Sequence, residues 1–263
     1  VIDLSSVFAD VDIATNADSL SYSAVSSDGS LVTASVSGSS LTLTYAANQN
    51  GTATITVTAT DSNGPLAVSD PFTVTVTPVN DNPTIEGTIP DQVLAEDFAS
   101  YTIDLNAAFA DVETADSALI YGVTGNTNIN VSIASGIATI TPTANWNGSE
   151  TLTFTATDAG GLSVSQDVNF IVNPVNDAPT VANAIADVTV AEDAAPTVID
   201  LSSVFADVDI ATNADSLSYS FVSSDGTLVS ASVSGTTLTL TYGAQQNGTA
   251  TIKVTPTDSN GPL

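Results

Sequence analysis

The sequence predicts an all-β chain built from tandem β-sandwich domains, on three observations. The apolar residues are mostly Val, Ile, Leu and Ala, and they are mixed with abundant Thr and Ser, a composition typical of β-sheets. Apolar and polar residues alternate along many short runs, which are separated by turn signals such as Asp28-Gly29. Long segments also recur along the chain, as expected for repeated domains.

The repeats define the domain organisation. Residues 1–66 align with residues 198–263, and the segment VIDLSSVFADVDIATNADSLSYS is identical in both. A diverged copy occupies residues 101–123. We therefore predict a first repeat that lacks its opening strand, a complete middle repeat and a third repeat that lacks its closing strand, at 1–80, 81–177 and 178–263. Two explanations stay open: the chain is cut from a longer periodic protein, or a neighbouring chain donates the missing strands.

The middle repeat shows the strand pattern most clearly. In TLTFTAT, alternation places Leu152, Phe154 and Ala156 on one face of a strand. Asn147-Gly148 and Asn50-Gly51 are predicted to be hairpin turns. Seven strands are expected, which favours a Greek-key sandwich of the cadherin or immunoglobulin type: QVLAE, SYTIDLN, ALIYGVT, NINVSIA, IATITPT, ETLTFTATD and SVSQDVNFIVN.

Composition excludes several classes of function. The chain has 29 Asp and Glu against a single basic residue, Lys253, and its formal charge is -28. Nucleic acids and anionic lipids need Lys or Arg partners, so neither is an expected partner, and no apolar run is long enough for membrane insertion. The chain has no His and no Cys, which removes His-based catalytic triads and the usual zinc, haem and iron–sulfur ligands. Carboxylate and amide oxygens remain, and these suit hard cations such as Ca²⁺.

The acidic residues recur at matching places in the repeats. FADVD or FADVE supplies Asp10 and Asp12, Asp111 and Glu113, and Asp207 and Asp209; a long strand ends at Asp61, Asp158 and Asp258; AED supplies Glu96 and Asp97; and the linkers TPVNDNPT and NPVNDAPT supply Asn80, Asp81, Asn176 and Asp177. In Asp-x-Asp, both carboxylates point the same way along an extended chain. Like charges about 4 Å apart repel by roughly 1 to 4 kcal/mol, so such clusters favour a bound cation.

In order along the chain, VLAED, FADVE, TATDAGG and PVNDAP resemble the motifs of cadherin repeats. The resemblance covers the whole chain and is closest to cadherin-like repeats of large bacterial surface proteins, including the extender regions of RTX-type adhesins. In that family, calcium lies between successive domains. The resemblance therefore implies Ca²⁺ sites where the linker of one repeat meets the acidic loops of the next.

Carried over by motif, the implied ligands form three groups. Asn80 and Asp81 would join Asp111, Glu113 and Asp158. Two features depart from the family: Pro78 and Pro174 replace an acidic linker residue, and NWNG or NQNG replaces the acidic loop that animal cadherins have between their middle strands. Both changes remove ligands, so we expect one or two ions per junction. The second group would be Glu96, Asp97, Asn176, Asp177, Asp207, Asp209 and Asp258; Asp10, Asp12 and Asp61 would face a preceding repeat.

The expected function is non-catalytic. The chain is predicted to be a calcium-stiffened extender of a secreted, cell-surface adhesin or extracellular fibre, with neighbouring repeats of the same long chain as partners. Two alternatives stay open: a filament of identical chains completed by strand exchange, and a carbohydrate-binding cadherin-like module in which Trp146 could stack on a sugar. Simpler interpretations also stand, because Asn-Asp before Pro makes a good turn and acidic loops can be plain surface.

Overall fold

A computed structural model describes residues 1–14, 18–64, 66–212 and 215–259. The chain forms two compact units. The first comprises Val1–Pro83, Asp111–Ala115 and Asp158–Leu162, and the second comprises Thr84–Ala110, Asp116–Thr157 and Ser163–Leu263. The linker at residues 80–83 therefore groups with two loops of the middle repeat. Among the described residues, no helix is long and apolar enough to cross a membrane.

The first repeat forms two three-stranded sheets. One has the order β1-β4-β3 and the other β2-β5-β6. A short 3-10 helix at Leu4–Ser6 follows β1 and is capped by the Asp3 carboxylate. The strands are β1 (Ile2–Asp3), β2 (Leu20–Ser26), β3 (Val32–Ser37), β4 (Ser40–Tyr45), β5 (Gly51–Asp61) and β6 (Ala67–Val76).

The middle repeat contains the seven strands that the sequence predicts, together with two short strands that pair with each other. Its sheets have the orders β11-β14-β15-β8 and β12-β13-β9, and β8 runs parallel to β15. A 3-10 turn lies at Asp116–Ala118. The strands are β7 (Thr84–Ile85), β8 (Gln92–Ala95), β9 (Tyr101–Asp104), β10 (Phe109–Ala110), β11 (Ile120–Thr124), β12 (Ile129–Ala134), β13 (Ile137–Pro142), β14 (Gly148–Thr157) and β15 (Ser163–Asn173).

The third repeat follows the first in local structure. β17, β21 and β20 form one sheet, while β19 pairs with β22 and β16 with β18. One helical turn, Asp209–Thr212, follows β18. Residues 260–263 of the predicted third domain lie outside the described residues. The strands are β16 (Thr180–Val181), β17 (Thr197–Asp200), β18 (Phe205–Ala206), β19 (Leu217–Ser223), β20 (Val229–Ser234), β21 (Thr237–Tyr242) and β22 (Ile252–Asp258).

The apolar residues at alternate positions of the strands form the hydrophobic cores. Leu152, Phe154 and Ala156 are fully buried, as predicted, and they pack with the equally buried Val168 and Phe170 of the neighbouring strand. Separate hydrophobic clusters occupy the first and third repeats, around Leu41 and Ile55 and around Leu201 and Leu238. The all-β sandwich class is confirmed, whereas the domain boundaries at 80 and 177 stay a prediction.

The prediction that Asn-Gly forms hairpin turns is wrong. Gly148 and Gly51 are the first residues of β14 and β5. The left-handed residues of these connections are Asn145, with φ 55°, and Asn48, with φ 56°. The physical reason is the topology, because β13 and β14 lie in different sheets. The connection therefore crosses the sandwich and needs a wider turn than a two-residue hairpin.

Candidate metal centre

The larger group of acidic residues, which we call the second acidic cluster, consists of Glu96, Asp97, Asn176, Asp177, Asp207, Asp209 and Asp258. The linker supplies two of its hydrogen bonds. Asn176 Nδ2 donates to Asp258 Oδ2 at 3.0 Å, and Asp177 N donates to Asp209 Oδ2 at 2.6 Å. Asp209 N in turn donates to Asp207 Oδ1 at 2.9 Å. The Asp-x-Asp loop, the end of β22 and the linker therefore meet, as the motif comparison predicts.

Glu96 is built into the same cluster from the end of β8. Its side chain is 5% exposed, and its Oε2 atom accepts hydrogen bonds from Val175 N at 3.1 Å and Asn147 Nδ2 at 3.2 Å. Asp97 is exposed, and its Oδ1 atom accepts a hydrogen bond from Asn145 N at 2.9 Å. Glu96 is thus held towards the linker, while Asp97 also anchors the crossing turn.

Several oxygens of this cluster are buried without a hydrogen-bond partner among the described residues. They are Glu96 Oε1, Asn176 Oδ1, Asp177 Oδ2 and Asp207 Oδ2. Burial raises the pKa of Asp177, and the nearby charges of Asp209, Asp97, Glu96 and Asp207 raise it further. The only basic side chain of the sequence, Lys253, is exposed on β22. Buried carboxylates are rarely left unpaired, so this arrangement calls for a cation.

The first acidic cluster, Asn80, Asp81, Asp111, Glu113 and Asp158, repeats this geometry within the first compact unit. Asn80 Nδ2 donates to Asp158 Oδ2 at 2.8 Å, and Asp81 N donates to Glu113 Oε2 at 3.2 Å. Glu113 N donates to Asp111 Oδ1 at 3.0 Å, and Asp111 Oδ2 is buried without a partner among the described residues. The same two linker contacts therefore occur in both clusters.

The β14–β15 turn holds Asp158 in place. Asp158 is 2% exposed, and its Oδ1 atom accepts a hydrogen bond from Leu162 N at 2.9 Å. Burial would raise its pKa, but hydrogen bonds from Asn80, Leu162 and the turn glycines outweigh burial, so the pKa is lowered. Gly160 allows Asn80 to approach, because a Cβ atom on Gly160 would lie 2.5 Å from Asn80 Nδ2. Asp158 therefore stays ionised beside the linker.

The third predicted group lies in the first repeat. Asp12 N donates to Asp10 Oδ1 at 2.9 Å, and carboxylate oxygens of Asp10, Asp18 and Asp61 lie within 4.8 Å of one another. A backbone hydrogen bond from Asn63 lowers the pKa of Asp61, but desolvation and the charges of Asp18 and Asp10 together raise it. Asp10 and Asp61 thus converge as predicted, and Asp18 joins them.

The motif comparison missed two residues, Asp18 and its counterpart Asp215. Asp215 forms a second group with Asp207 and Asp258, again with oxygens within 4.8 Å of one another. Both residues are buried. A sequence signal existed, because NADSLS is identical in the first and third repeats and puts an Asp just before a strand.

These groups have the chemistry of a hard-cation site. Their oxygens come from carboxylates and amides, which Ca²⁺ accepts with six to eight ligands and flexible geometry. Mg²⁺ demands stricter octahedral geometry and gives up its waters reluctantly. Bound Ca²⁺ would supply positive charge to the unpartnered oxygens. The residues present therefore fit calcium in both acidic clusters.

Trp146 has a structural position. It packs against the core of the middle repeat and lies next to Gly148, where an added Cβ atom would approach Trp146 Cζ2 to 3.2 Å. Its burial is intermediate. This packing favours a structural role, in which Trp146 covers the end of the core, and it does not support the carbohydrate-binding alternative.

The fold and the clusters define the class: an all-β chain of sandwich repeats with carboxylates gathered at linkers and strand ends. Residues 79–173 match the family model described as a cadherin-like domain. Domains of this description are typically extracellular, non-catalytic modules of adhesion or structure. No curated protein matches this chain.

Solved structures with similarity to the chain include cadherin ectodomains. Domains 1–4 of protocadherin gamma B7 are 19% identical, with 91% of this chain and 66% of that chain covered and a TM-score of 0.43. The human desmocollin-1 ectodomain is 16% identical, with 91% and 50% covered and a TM-score of 0.35. Domains 22–24 of mouse cadherin-23 are 15% identical, with 89% and 79% covered and a TM-score of 0.46. This chain thus spans 50% to 66% of the first two structures.

Proposed function

We propose that the chain is a stretch of calcium-stiffened extender repeats, non-catalytic and extracellular. One observation carries the proposal. Buried oxygens without a hydrogen-bond partner among the described residues occur in both acidic clusters, at Asp111 in the first and at Glu96, Asn176, Asp177 and Asp207 in the second. In both clusters a linker Asn donates to a strand-end Asp, and the chain has a single basic residue. Calcium bound there would link the linker to the acidic loops and turn electrostatic repulsion into attraction.

Stiffness is the functional consequence of such a site. Interfaces between small domains ordinarily permit relative motion, and linker-bound ions would suppress it. A stiff series of repeats can project an adhesive domain from a cell or form an extracellular fibre. The resemblance of VLAED, FADVE, TATDAGG and PVNDAP to the motifs of bacterial adhesin extender regions supports a role within a large surface or biofilm protein, in which neighbouring repeats would be the immediate partners.

Small-angle scattering of the full chain tests the proposal. Scattering curves are recorded in calcium at millimolar concentration, which matches the roughly 10⁻⁴ to 10⁻³ M affinity of extracellular modules, and again after chelation. We expect the maximum dimension to become less well defined and the flexibility to rise without calcium. An identical curve in both conditions would contradict calcium stiffening. Magnesium at the same concentration serves as the matched ionic control.

A further inference from the structure

The first and third repeats build matching strands in the same register. Antiparallel pairing places Leu20 opposite Asp61 in the first repeat and Leu217 opposite Asp258 in the third, and each register continues over seven residue pairs. The two repeats are also near-identical in sequence. A strand of the first repeat would therefore meet the same partners if it lay against the corresponding strand of the third repeat.

The inward-facing residues of β5 recur in the third repeat with one change. Those of β5 are buried and are Ala53, Ile55, Val57 and Ala59. The corresponding residues of the third repeat are Ala250, Ile252, Val254 and Pro256. Three of these four positions hold the same residue type, so β5 carries nearly the same apolar face as the strand that packs in the core of the third repeat.

The middle repeat divides its core volume between the two sheets in a different way. Phe154 on β14 occupies the position that Val57 has on β5, and Ala138 on β13 occupies the position that Leu41 has on β4. Leu41 and Val57 belong to one hydrophobic cluster and line one cavity, and Ala138 and Phe154 share the cluster of the middle repeat. The volume that Phe154 adds to one sheet is thus offset by the smaller residue on the other.

This difference makes the strands of neighbouring repeats poor replacements for each other. β5 placed in the middle repeat would set Val57 against Ala138 and leave a cavity. β14 placed in the first repeat would set Phe154 against Leu41 and overfill the core. In the third repeat, β5 would meet Leu238, the same residue type as its own Leu41. The core therefore accepts β5 in the first and third repeats and rejects it in the middle one.

We propose that the alternation of the two core types protects the folding chain against strand exchange between neighbouring repeats. Such exchange is a characteristic failure of repeat proteins. Neighbours are the most prone to it, because a shorter connecting segment costs less entropy to close. In this chain the two repeats with interchangeable strands are separated by a repeat of the other type. The inference concerns folding and does not depend on calcium or on the proposed function.

Disulfide trapping during refolding tests the proposal, because the sequence has no Cys and an introduced pair has no competitor. Thr56 lies opposite Val25 in the native register, and the exposed residues Thr124 and Val222 occupy the place of Val25 in the other repeats. Thr56→Cys with Val222→Cys is the third-repeat reporter, and Thr56→Cys with Thr124→Cys is the middle-repeat reporter. Thr56→Cys with Val25→Cys is the native-register control.

Each chain is diluted from urea into oxidising buffer, and cross-linked peptides are quantified by mass spectrometry. Links between two chains are recognised by their doubled mass and excluded. We expect the third-repeat reporter to be cross-linked at least about fivefold more often than the middle-repeat reporter, although the middle repeat is nearer in sequence. An equal or more frequent link to the middle repeat would overturn the proposal. So would the absence of both links where the native-register control is cross-linked.

A change of core type in the middle repeat tests the cause. Ala138→Leu with Phe154→Val gives this repeat the core of its neighbours and is expected to raise cross-linking of the middle-repeat reporter to the level of the third-repeat reporter. Unchanged cross-linking would overturn core volume as the cause. If circular dichroism shows that this chain does not fold, Leu41→Ala with Val57→Phe decides in the same reporter, since it gives β5 the core type of the middle repeat: more cross-linking supports the proposal, and unchanged cross-linking overturns it.

Discussion

The two acidic clusters share their linker contacts but differ in what surrounds them. In both, a linker Asn reaches a strand-end Asp, and a linker backbone N–H reaches the acidic loop. The second cluster adds the buried side chain of Glu96, and carboxylate oxygens of its Asp207 and Asp258 lie within 4.8 Å of Asp215, whereas Glu113 of the first cluster is exposed. The same linker motif therefore lies in two clusters of different charge density. The residues that the neighbouring strands contribute determine that difference.

Calcium removal should have the largest effect on stability, and its effect should differ between the two clusters. A site whose ligand is present at about 100 times its Kd contributes about 2.7 kcal/mol, so chelation should lower the unfolding midpoint by about 10 °C or more. Hydrogen exchange should rise most at Asp177 and Asp209, where more negative charge gathers, and less at Asp81. Equal changes in both clusters would remove the distinction between them.

The effect of Glu96→Gln on the free energy of unfolding should change sign between calcium and chelator. In calcium, loss of a buried ligand charge should lower the free energy of unfolding by about 2 kcal/mol. In chelator, the same change removes repulsion with Asp177 and should leave stability equal or higher. Urea unfolding in both conditions measures this. Glu113→Gln is the control at an exposed Glu of the first cluster. An equally large loss of unfolding free energy there would contradict a larger contribution from the buried Glu96.

The effect of Asp177→Asn on the stability of the chain should depend on pH. The pKa of Asp177 is raised above its ordinary value of 3.8 by burial and by neighbouring carboxylates, so the folded state prefers the protonated form. Its favourable contribution is therefore present below pH 3.8 and is lost as pH rises through the raised pKa. In chelator, Asp177→Asn should stabilise the chain near pH 7 and have little effect at pH 3. Thermal unfolding across this range measures the difference, and a constant difference would contradict it.

Gly160→Ala should have the smallest effect, confined to the first cluster. The added Cβ atom would displace the Asn80 side chain and break its hydrogen bond to Asp158, at a cost of about 1 kcal/mol. Gly64→Ala is the matched control, because nothing lies within 4 Å of its Cβ position. Thermal unfolding in calcium compares the two. A loss as large for Gly64→Ala would show that backbone effects, and not Asn80, determine the result.

Much of the fold was predictable because alternation and burial follow the same rule. Leu152, Phe154 and Ala156 are apolar at every second position, and all three are buried. Asn147-Gly148 misled because a dipeptide carries no information about which sheet the next strand joins. That choice depends on contacts across the whole sandwich, which are distant in sequence.

The site was predictable where a motif repeats and less so where a single residue acts. The linker residues Asn176 and Asp177 do meet Asp258 and Asp209, over separations of 82 and 32 residues. Asp215 was missed, because its importance comes from the Ser259 hydroxyl and from burial. Neither is visible in the spacing of acidic residues. That these residues bind calcium stays a prediction.

The buried unpartnered oxygens also bear on when this chain reaches its final structure. Under the proposed function, repulsion among them would be uncompensated wherever divalent cations are scarce, so the ordered linker arrangement would be disfavoured there. In a calcium-rich medium the same oxygens would bind the ion and favour the ordered arrangement. The timing of assembly would then be controlled by the ion content of the surroundings, and a long series of such repeats would stiffen only after arriving where it is used.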